Sequence, residues 1–155
     1  MMKPIAGVLM LWILLLTGAE AGEPLRSTLL EKEIAVTATR QCSRDSPEHV
    51  EDGWTPSPQI IQEMETRIPQ LKNLESKACC GKGKIEGKLS DYSLQYAGIV
   101  VGGRRLIYIN AFPKKLETPE WTSLMVVCDG GKSFWGAVYD PATGTFSQLA
   151  FNGEA

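Results

Sequence analysis

The cysteines are the first residues of this sequence that could do chemistry. There are four, Cys42, Cys79, Cys80 and Cys128, and an even number is typical of disulfide bonds in an exported protein. Because adjacent cysteines seldom pair with each other, we expect Cys79 and Cys80 each to bond either Cys42 or Cys128. A metal or redox site is the alternative. His49 is the only histidine, however, and C-x-x-C is absent, so we predict no metal site and no cofactor.

Three other patterns approach catalytic or nucleotide-binding motifs. His49 lies in a polar stretch, far from the base position that a Ser or Cys nucleophile needs. Five residues separate Gly81 from Gly87, and Leu89 stands where a phosphate-binding loop requires Ser or Thr. Asp129 and Asp140 occupy turn positions at opposite ends of one predicted strand, roughly 30 Å apart at about 3.3 Å per residue. The sequence therefore leaves enzymatic activity open and favours a non-enzymatic protein.

The N-terminus has the pattern of a secretory signal peptide. Lys3 precedes the uncharged apolar run Ile5–Leu16, and Ala19-Glu20-Ala21 matches a cleavage site. The run is shorter than the roughly 20 residues of a transmembrane helix. We predict a signal peptide over residues 1–21, a weakly structured segment over 22–56 and a single domain over 57–155. The protein would be periplasmic or secreted, without stable membrane insertion after cleavage; an uncleaved anchor is the alternative.

One helix is predicted after the polar segment. Ser57 suits the N-cap, and Pro58 suits the first helical position. Apolar residues then recur every three or four positions, which draws one stripe for core packing. Pro69 should break or kink the helix. The stripe consists of Ile60, Met64, Ile68 and Leu71.

After Leu89 the apolar period changes to two, which is typical of strands. Gly102-Gly103 separates two of them and is typical of a two-residue hairpin loop. The predicted fold is α+β, with one N-terminal helix packed on a mostly antiparallel sheet of about five strands. The predicted strands are 92–101, 104–112, 124–128, 133–139 and 145–151. Residues 33–39 form a sixth, less distinct candidate.

The hairpin register assigns side chains to the two sheet faces. If Val101 opposes Arg104, then Tyr92, Leu94, Tyr96 and Val100 share an apolar face with Ile107, Ile109 and Ala111. Gln95 then opposes Asn110 on the other face, beside Tyr108. With four-residue loops at the later turns, Phe134 and Val138 join the core, whereas Trp135, Tyr139 and Gln148 point outward. A slip of one residue would exchange the two sets.

The polar and aromatic side chains of the second face form the predicted binding site. Gln95, Tyr108, Asn110 and Trp135 combine amide groups with flat apolar area, which suits carbohydrate or protein recognition. In the alternative interpretation the face is merely amphipathic, or is packed by residues 22–56. The net charge of −2, from 16 basic and 18 acidic residues, argues against nucleic acid as the partner.

The second half of the chain resembles a group of small exported bacterial proteins. The resemblance runs from about Leu89 to Gly153. It rests on these motifs: Tyr92-x-x-Gln95-Tyr96-x-Gly98, Gly103-Arg104-x-x-Ile107-Tyr108-Ile109-Asn110-Ala111-Phe112, Val127-Cys128-Asp129-Gly130-Gly131 followed by Phe134-Trp135-Gly136, Tyr139-Asp140-Pro141 and Phe151-Asn152-Gly153. The chain departs from the group at Pro113, where a cysteine follows the Asn-Ala-Phe segment in its members. The resemblance implies a bacterial cell-envelope setting and no particular chemistry.

Two functional hypotheses follow. The first is a non-enzymatic binding or inhibitor-type module of the cell envelope, with an envelope protein or carbohydrate as its partner. The second is a small hydrolase with acid and base residues in a cleft between helix and sheet.

Overall fold

The fold is α+β, with a mixed sheet of six strands and two helices. The computed structural model of the chain describes residues 24–154, so the predicted signal peptide lies outside the described residues. The helices are α1 (Ala35–Ala38) and α2 (Pro58–Arg67). The strands are β1 (Arg26–Leu29), β2 (Val50–Gly53), β3 (Tyr92–Val101), β4 (Arg104–Pro113), β5 (Trp135–Asp140) and β6 (Thr145–Phe151).

The main helix, α2, begins and ends where the sequence predicts. The Ser57 side chain accepts a hydrogen bond from the Ile60 backbone N–H at 3.4 Å, which caps the first turn. The α-helix ends at Arg67, and residues 68–73 continue as a 3₁₀ helix that contains Pro69. Pro69 has no backbone N–H to donate to an α-helical hydrogen bond, so the α-helix ends before it and the chain continues as a 3₁₀ helix.

The long hairpin β3–β4 has the predicted register. Val101 pairs with Arg104, Gln95 with Asn110 and Leu94 with Ala111. Gly102 and Gly103 have φ values of 56° and 72°, the left-handed conformation that a two-residue hairpin loop of this kind requires. The Glu51 carboxylate accepts the N–H groups of both glycines, at 3.0 and 3.3 Å, and so ties β2 to the loop.

Strands that precede α2 in the chain and strands that follow it both contribute to the sheet. The sheet is mixed because β1 runs parallel to its neighbour β3. Its order is β1-β3-β4-β5-β6; β1 pairs parallel with the first half of β3, and β2 pairs antiparallel with the second half. The sheet is mostly antiparallel, as predicted, apart from the β1–β3 pair. Two predictions are wrong: residues 32–38 are helical where 33–39 were a strand candidate, and residues 124–128 form an irregular segment. Residues 24–56 add two strands and α1 to the fold.

One face of the sheet packs against α2, as the apolar pattern predicts. Met64, Ile68 and Leu71 are fully buried there. Ser27 and Tyr96 both donate hydrogen bonds to the Glu65 carboxylate, at 2.7 and 3.0 Å, which links β1, β3 and α2. The sheet residues of this face are Tyr92, Leu94, Tyr96, Ile107, Ile109, Ala111, Trp135, Ala137, Tyr139, Phe146, Leu149 and Phe151.

The opposite face is covered as well. Leu30, Ala35 and Ala38 pack on Ala97, Ile99, Leu106, Tyr108 and Val138. The rest of this face lies under the irregular segment over residues 121–129, which we call the cover segment. The sheet is therefore buried on both sides, and the prediction of an uncovered face is wrong. The alternative that residues 22–56 pack this face is confirmed in part, since residues 30–38 do so.

Candidate functional site

The four residues of the predicted binding face are all inside the protein. The exposed fraction is 0% for Gln95 and Trp135, 1% for Tyr108 and 3% for Asn110. Gln95, Tyr108 and Asn110 share one face, as predicted. These side chains have no open surface to offer to a carbohydrate or a protein.

Trp135 was assigned to the wrong face. It pairs with Ala111 and belongs to the α2 side of the core, where its ring meets Tyr92 edge to face at a centroid distance of 5.5 Å. Tyr139 lies on the α2 side with it, and Val138 lies on the other. The error is a slip of one residue. It arises because 124–128 is no strand, so no four-residue hairpin loop precedes β5.

The amides of Gln95 and Asn110 hold the cover segment on the sheet. Gln95 Nε2 donates to the carbonyls of Trp121 and Ser123 at 2.8 and 2.6 Å, and its Oε1 accepts the Met125 N–H at 3.0 Å. Asn110 Nδ2 donates to Gln95 Oε1 and to the Met125 carbonyl. A segment without regular secondary structure needs such partners for its backbone groups. The polar pair predicted as a ligand site thus has a structural role.

Sequence reasoning missed Arg44, which lies at the centre of this network. Its exposed fraction is 6%. The guanidinium donates twice to the Tyr108 hydroxyl, at 2.8 and 3.1 Å, and also to the side-chain oxygens of Asn110 and Asn152. All three partners are neutral. Among residues 24–154 no carboxylate lies within 4 Å of its nitrogen atoms.

A glycine makes room for the arginine. A Cβ atom at Gly136 would lie 2.6 Å from the Tyr108 hydroxyl and 3.1 Å from Arg44 Nε. Any larger residue at this position would displace the two groups. Gly136 in the Phe134-Trp135-Gly136 motif was the signal in the sequence that a side chain crosses the sheet closely here.

The disulfide pairing differs from the prediction. Cys42 is bonded to Cys128, and Cys79 is bonded to its neighbour Cys80. The first bond joins the loop that carries Arg44 to the cover segment. The second lies in a small loop closed by mutual hydrogen bonds between the backbones of Ser76 and Gly83, at 2.7 and 3.1 Å. The expectation that adjacent cysteines avoid each other is therefore wrong for this chain.

Two concave surfaces flank the loop over residues 40–50. The first, which we call the Arg44 pocket, has a volume of about 300 Å³ and is lined by Val36, Thr39, Arg40, Gln41, Arg44, Ser46, Pro47, His49 and Val50. The lining includes two arginines and no carboxylate. The Ser46 hydroxyl is buried and has no hydrogen-bond partner within residues 24–154. The pocket is thus basic and holds an unused hydroxyl.

The second surface, which we call the β6 groove, runs beside the last strand and has a volume of about 610 Å³. Its floor is Gln148, Leu149 and Ala150. Its walls come from two segments of the chain: one contributes Asp45, Ser46 and Glu48, and the other contributes Glu75, Lys77 and Ala78. Three carboxylates against one ammonium make the groove acidic.

The floor of the β6 groove belongs to an edge strand of the sheet, in which Gln148 is exposed and Leu149 and Ala150 are buried. β6 pairs with β5 alone among the strands of residues 24–154, so its outer side presents backbone N–H and C=O groups. The ladder is irregular opposite Ala137, where two residues of β6 face one of β5. Gln148, at this bulge, has a φ of 52°. A bulge of this kind turns the edge locally and re-aims side chains.

The two carboxylates considered for hydrolysis lie toward opposite ends of β5, and their separation of roughly 30 Å stays a prediction. Asp140 ends the strand and forms an ion pair with Arg104, whereas Asp129 precedes β5 by six residues. Burial raises the pKa of Asp140, but the Ala142 N–H and the Arg104 guanidinium lower it more, so the net pKa is lowered. Asp140 is therefore a stable anion, unsuited to donate a proton.

Comparison with protein-family models, with curated proteins and with solved structures finds no match for this chain. Within residues 24–154 no helix is long and apolar enough to cross a membrane. In the same part of the chain, no three His, Cys, Asp or Glu side chains lie together as metal ligands would. The conclusions below therefore depend on the geometry of the two surfaces around loop 40–50.

Proposed function

We propose that this protein is an exported, non-enzymatic binding module, of the inhibitor or envelope-interaction type, that captures an extended polypeptide segment in the β6 groove. One observation carries the proposal: β6, whose outer edge pairs with no strand of residues 24–154, forms the floor of a groove lined by two further segments. Strand addition to such an edge is a common way to recognise a peptide, because backbone hydrogen bonds supply affinity and the walls supply specificity.

The export part of the proposal has separate support. The N-terminal pattern is that of a signal peptide, and the pairing of all four cysteines suits an oxidising compartment. The resemblance to small exported bacterial proteins agrees with a place in the cell envelope. N-terminal sequencing of exported protein should begin at Gly22 or within a residue or two. Recovery of membrane-bound protein that still carries Met1 would contradict export by cleavage.

The acidic walls define the partner. An extended chain places alternate side chains on opposite sides, so a ligand in the groove presents one row of side chains to each wall. Asp45 and Glu48 face one row, and Glu75 faces the other together with Lys77. A segment with lysine or arginine at alternate positions complements these charges. Such contacts mainly raise the association rate and the specificity.

The test uses a fluorescent heptapeptide of alternating lysine and valine, with a second peptide in which glutamate replaces lysine. We expect saturable binding of the lysine peptide, slower hydrogen exchange of the amides in residues 145–151, and recovery of the peptide intact. The charge reversal Glu48→Lys, on the wall that faces the lysine row, should weaken binding by about tenfold. Glu63→Lys, an equal charge change on α2 outside the groove, is the matched control.

Two results would contradict the proposal. Protection of β1 amides in place of β6 amides would move the binding site to the other sheet edge. Cleavage of the peptide would favour the hydrolase hypothesis, which no contact among residues 24–154 supports.

A further inference from the structure

A buried arginine without an anionic partner opens onto the Arg44 pocket. An ionised group inside a protein is costly unless it is paired, since burial removes its hydration. Arg44 contacts only neutral oxygens, those of Tyr108, Asn110 and Asn152. A guanidinium has five N–H groups. The four bonds to these oxygens leave one N–H on Nη1 without an acceptor among residues 24–154.

The surroundings of Arg44 add to its charge. Arg40 is exposed at the same pocket and has no carboxylate partner among the described residues. His49 also lines the pocket; the nearest acid to it is Glu48, at 3.9 Å, and both side chains are almost fully exposed. Glu48 is not part of the pocket lining. The pocket therefore carries two permanent positive charges and no negative one.

We propose that the Arg44 pocket binds a small oxyanion: a phosphate, a sulfate or a carboxylate group, either free or at the end of a larger molecule. Arg44 and Arg40 would supply the charge, and the N–H on Arg44 Nη1 that has no acceptor among residues 24–154 would donate a hydrogen bond. A volume of about 300 Å³ lies at the small end of ligand sites, which suits one such group. This site is distinct from the β6 groove, although Ser46 lines both.

The test measures the melting temperature, and calorimetric binding, with phosphate, sulfate and acetate against chloride at matched ionic strength. The disulfides of the protein are kept intact. We expect saturable stabilisation by at least one oxyanion, and the anion that acts identifies the class of ligand. Equal melting temperatures in all four salts would overturn the proposal.

Variants localise the effect without loss of the fold. Arg40 is exposed, so Arg40→Gln should keep the fold and weaken oxyanion binding by about tenfold. Lys82→Gln removes one charge from an exposed loop and is the matched control. Equal losses in Lys82→Gln and Arg40→Gln would mean that the anion responds only to net charge, and would refute the site.

Discussion

The two disulfides should contribute very unequally to stability, and the difference follows from their positions in the chain. Cys42 and Cys128 are 86 residues apart, whereas Cys79 and Cys80 are adjacent. A cross-link stabilises mainly by restricting the unfolded chain, and the effect grows with the logarithm of the loop length. For the long loop this relation gives about 4.5 kcal/mol at 25 °C, and for the adjacent pair less than about 1 kcal/mol.

The perturbation is a pair of double variants, Cys42→Ser/Cys128→Ser and Cys79→Ser/Cys80→Ser. We expect the first to lower the free energy of unfolding by about 4.5 kcal/mol, or roughly 15 °C in melting temperature for a domain of this size. The second should change the melting temperature by a few degrees at most. Urea denaturation followed by tryptophan fluorescence measures the free energy of unfolding of each variant, and thermal denaturation measures its melting temperature.

Peptide mapping under non-reducing conditions tests the pairing itself. Trypsin should release residues 41–44 linked to residues 116–132, and residues 78–82 as a single peptide with an internal disulfide. A link from residues 78–82 to either of the other peptides would refute the pairing. Equal destabilisation by the two double variants would refute the loop-length reasoning, even if the pairing were right.

Three further substitutions test the interior. Trp135→Ala should cost about 3–5 kcal/mol of stability in urea denaturation, because the side chain is fully buried; a cost below 1 kcal/mol would restore the outward assignment. Asn110→Ala should cost about 2–4 kcal/mol, since it leaves groups of Arg44 and Gln95 without partners; a neutral result would mean that water replaces the amide. Burial, and then the Glu65 carboxylate, raise the pKa of Tyr96, so the folded state keeps a proton that the unfolded state loses near pH 10. Stability should therefore fall as the pH rises above 10, and less steeply in Tyr96→Phe when melting temperatures at pH 8 to 11 are compared; identical slopes would contradict the buried phenol.

Local signals in the sequence predicted the parts of the fold that local chemistry determines. The N-cap at Ser57, the proline at position 69 and the Gly102-Gly103 loop each act within a few residues. The hairpin loop fixes the register of β3 and β4, and the register places Gln95 opposite Asn110. All of these expectations are confirmed.

Long-range pairings were beyond the reach of those signals. β1 joins β3 in parallel across more than sixty residues, and no turn motif marks such a contact. Residues 124–128 have the apolar period of a strand, yet side-chain amides hold their backbone in place of a neighbouring strand. The prediction treated this segment as a strand, and the register derived from that strand placed Trp135 on the wrong face. A strand pattern alone cannot distinguish the two cases.

The buried network also explains why recognition belongs at the edge of the molecule. The cover segment forms no sheet ladder, so the amides of Gln95, Asn110 and Asn152 must bind its carbonyls. The side-chain oxygens of Asn110 and Asn152 then remain to accept from Arg44, which brings a positive charge into the interior beside loop 40–50. The loop is anchored from within by the Arg44 bonds and the Cys42–Cys128 disulfide. Its outer surfaces, the basic Arg44 pocket and the acidic wall of the β6 groove, stay free for ligands. Because Ser46 lines both, an anion in the pocket should alter peptide affinity in the groove, and by linkage the peptide should alter anion affinity by the same factor.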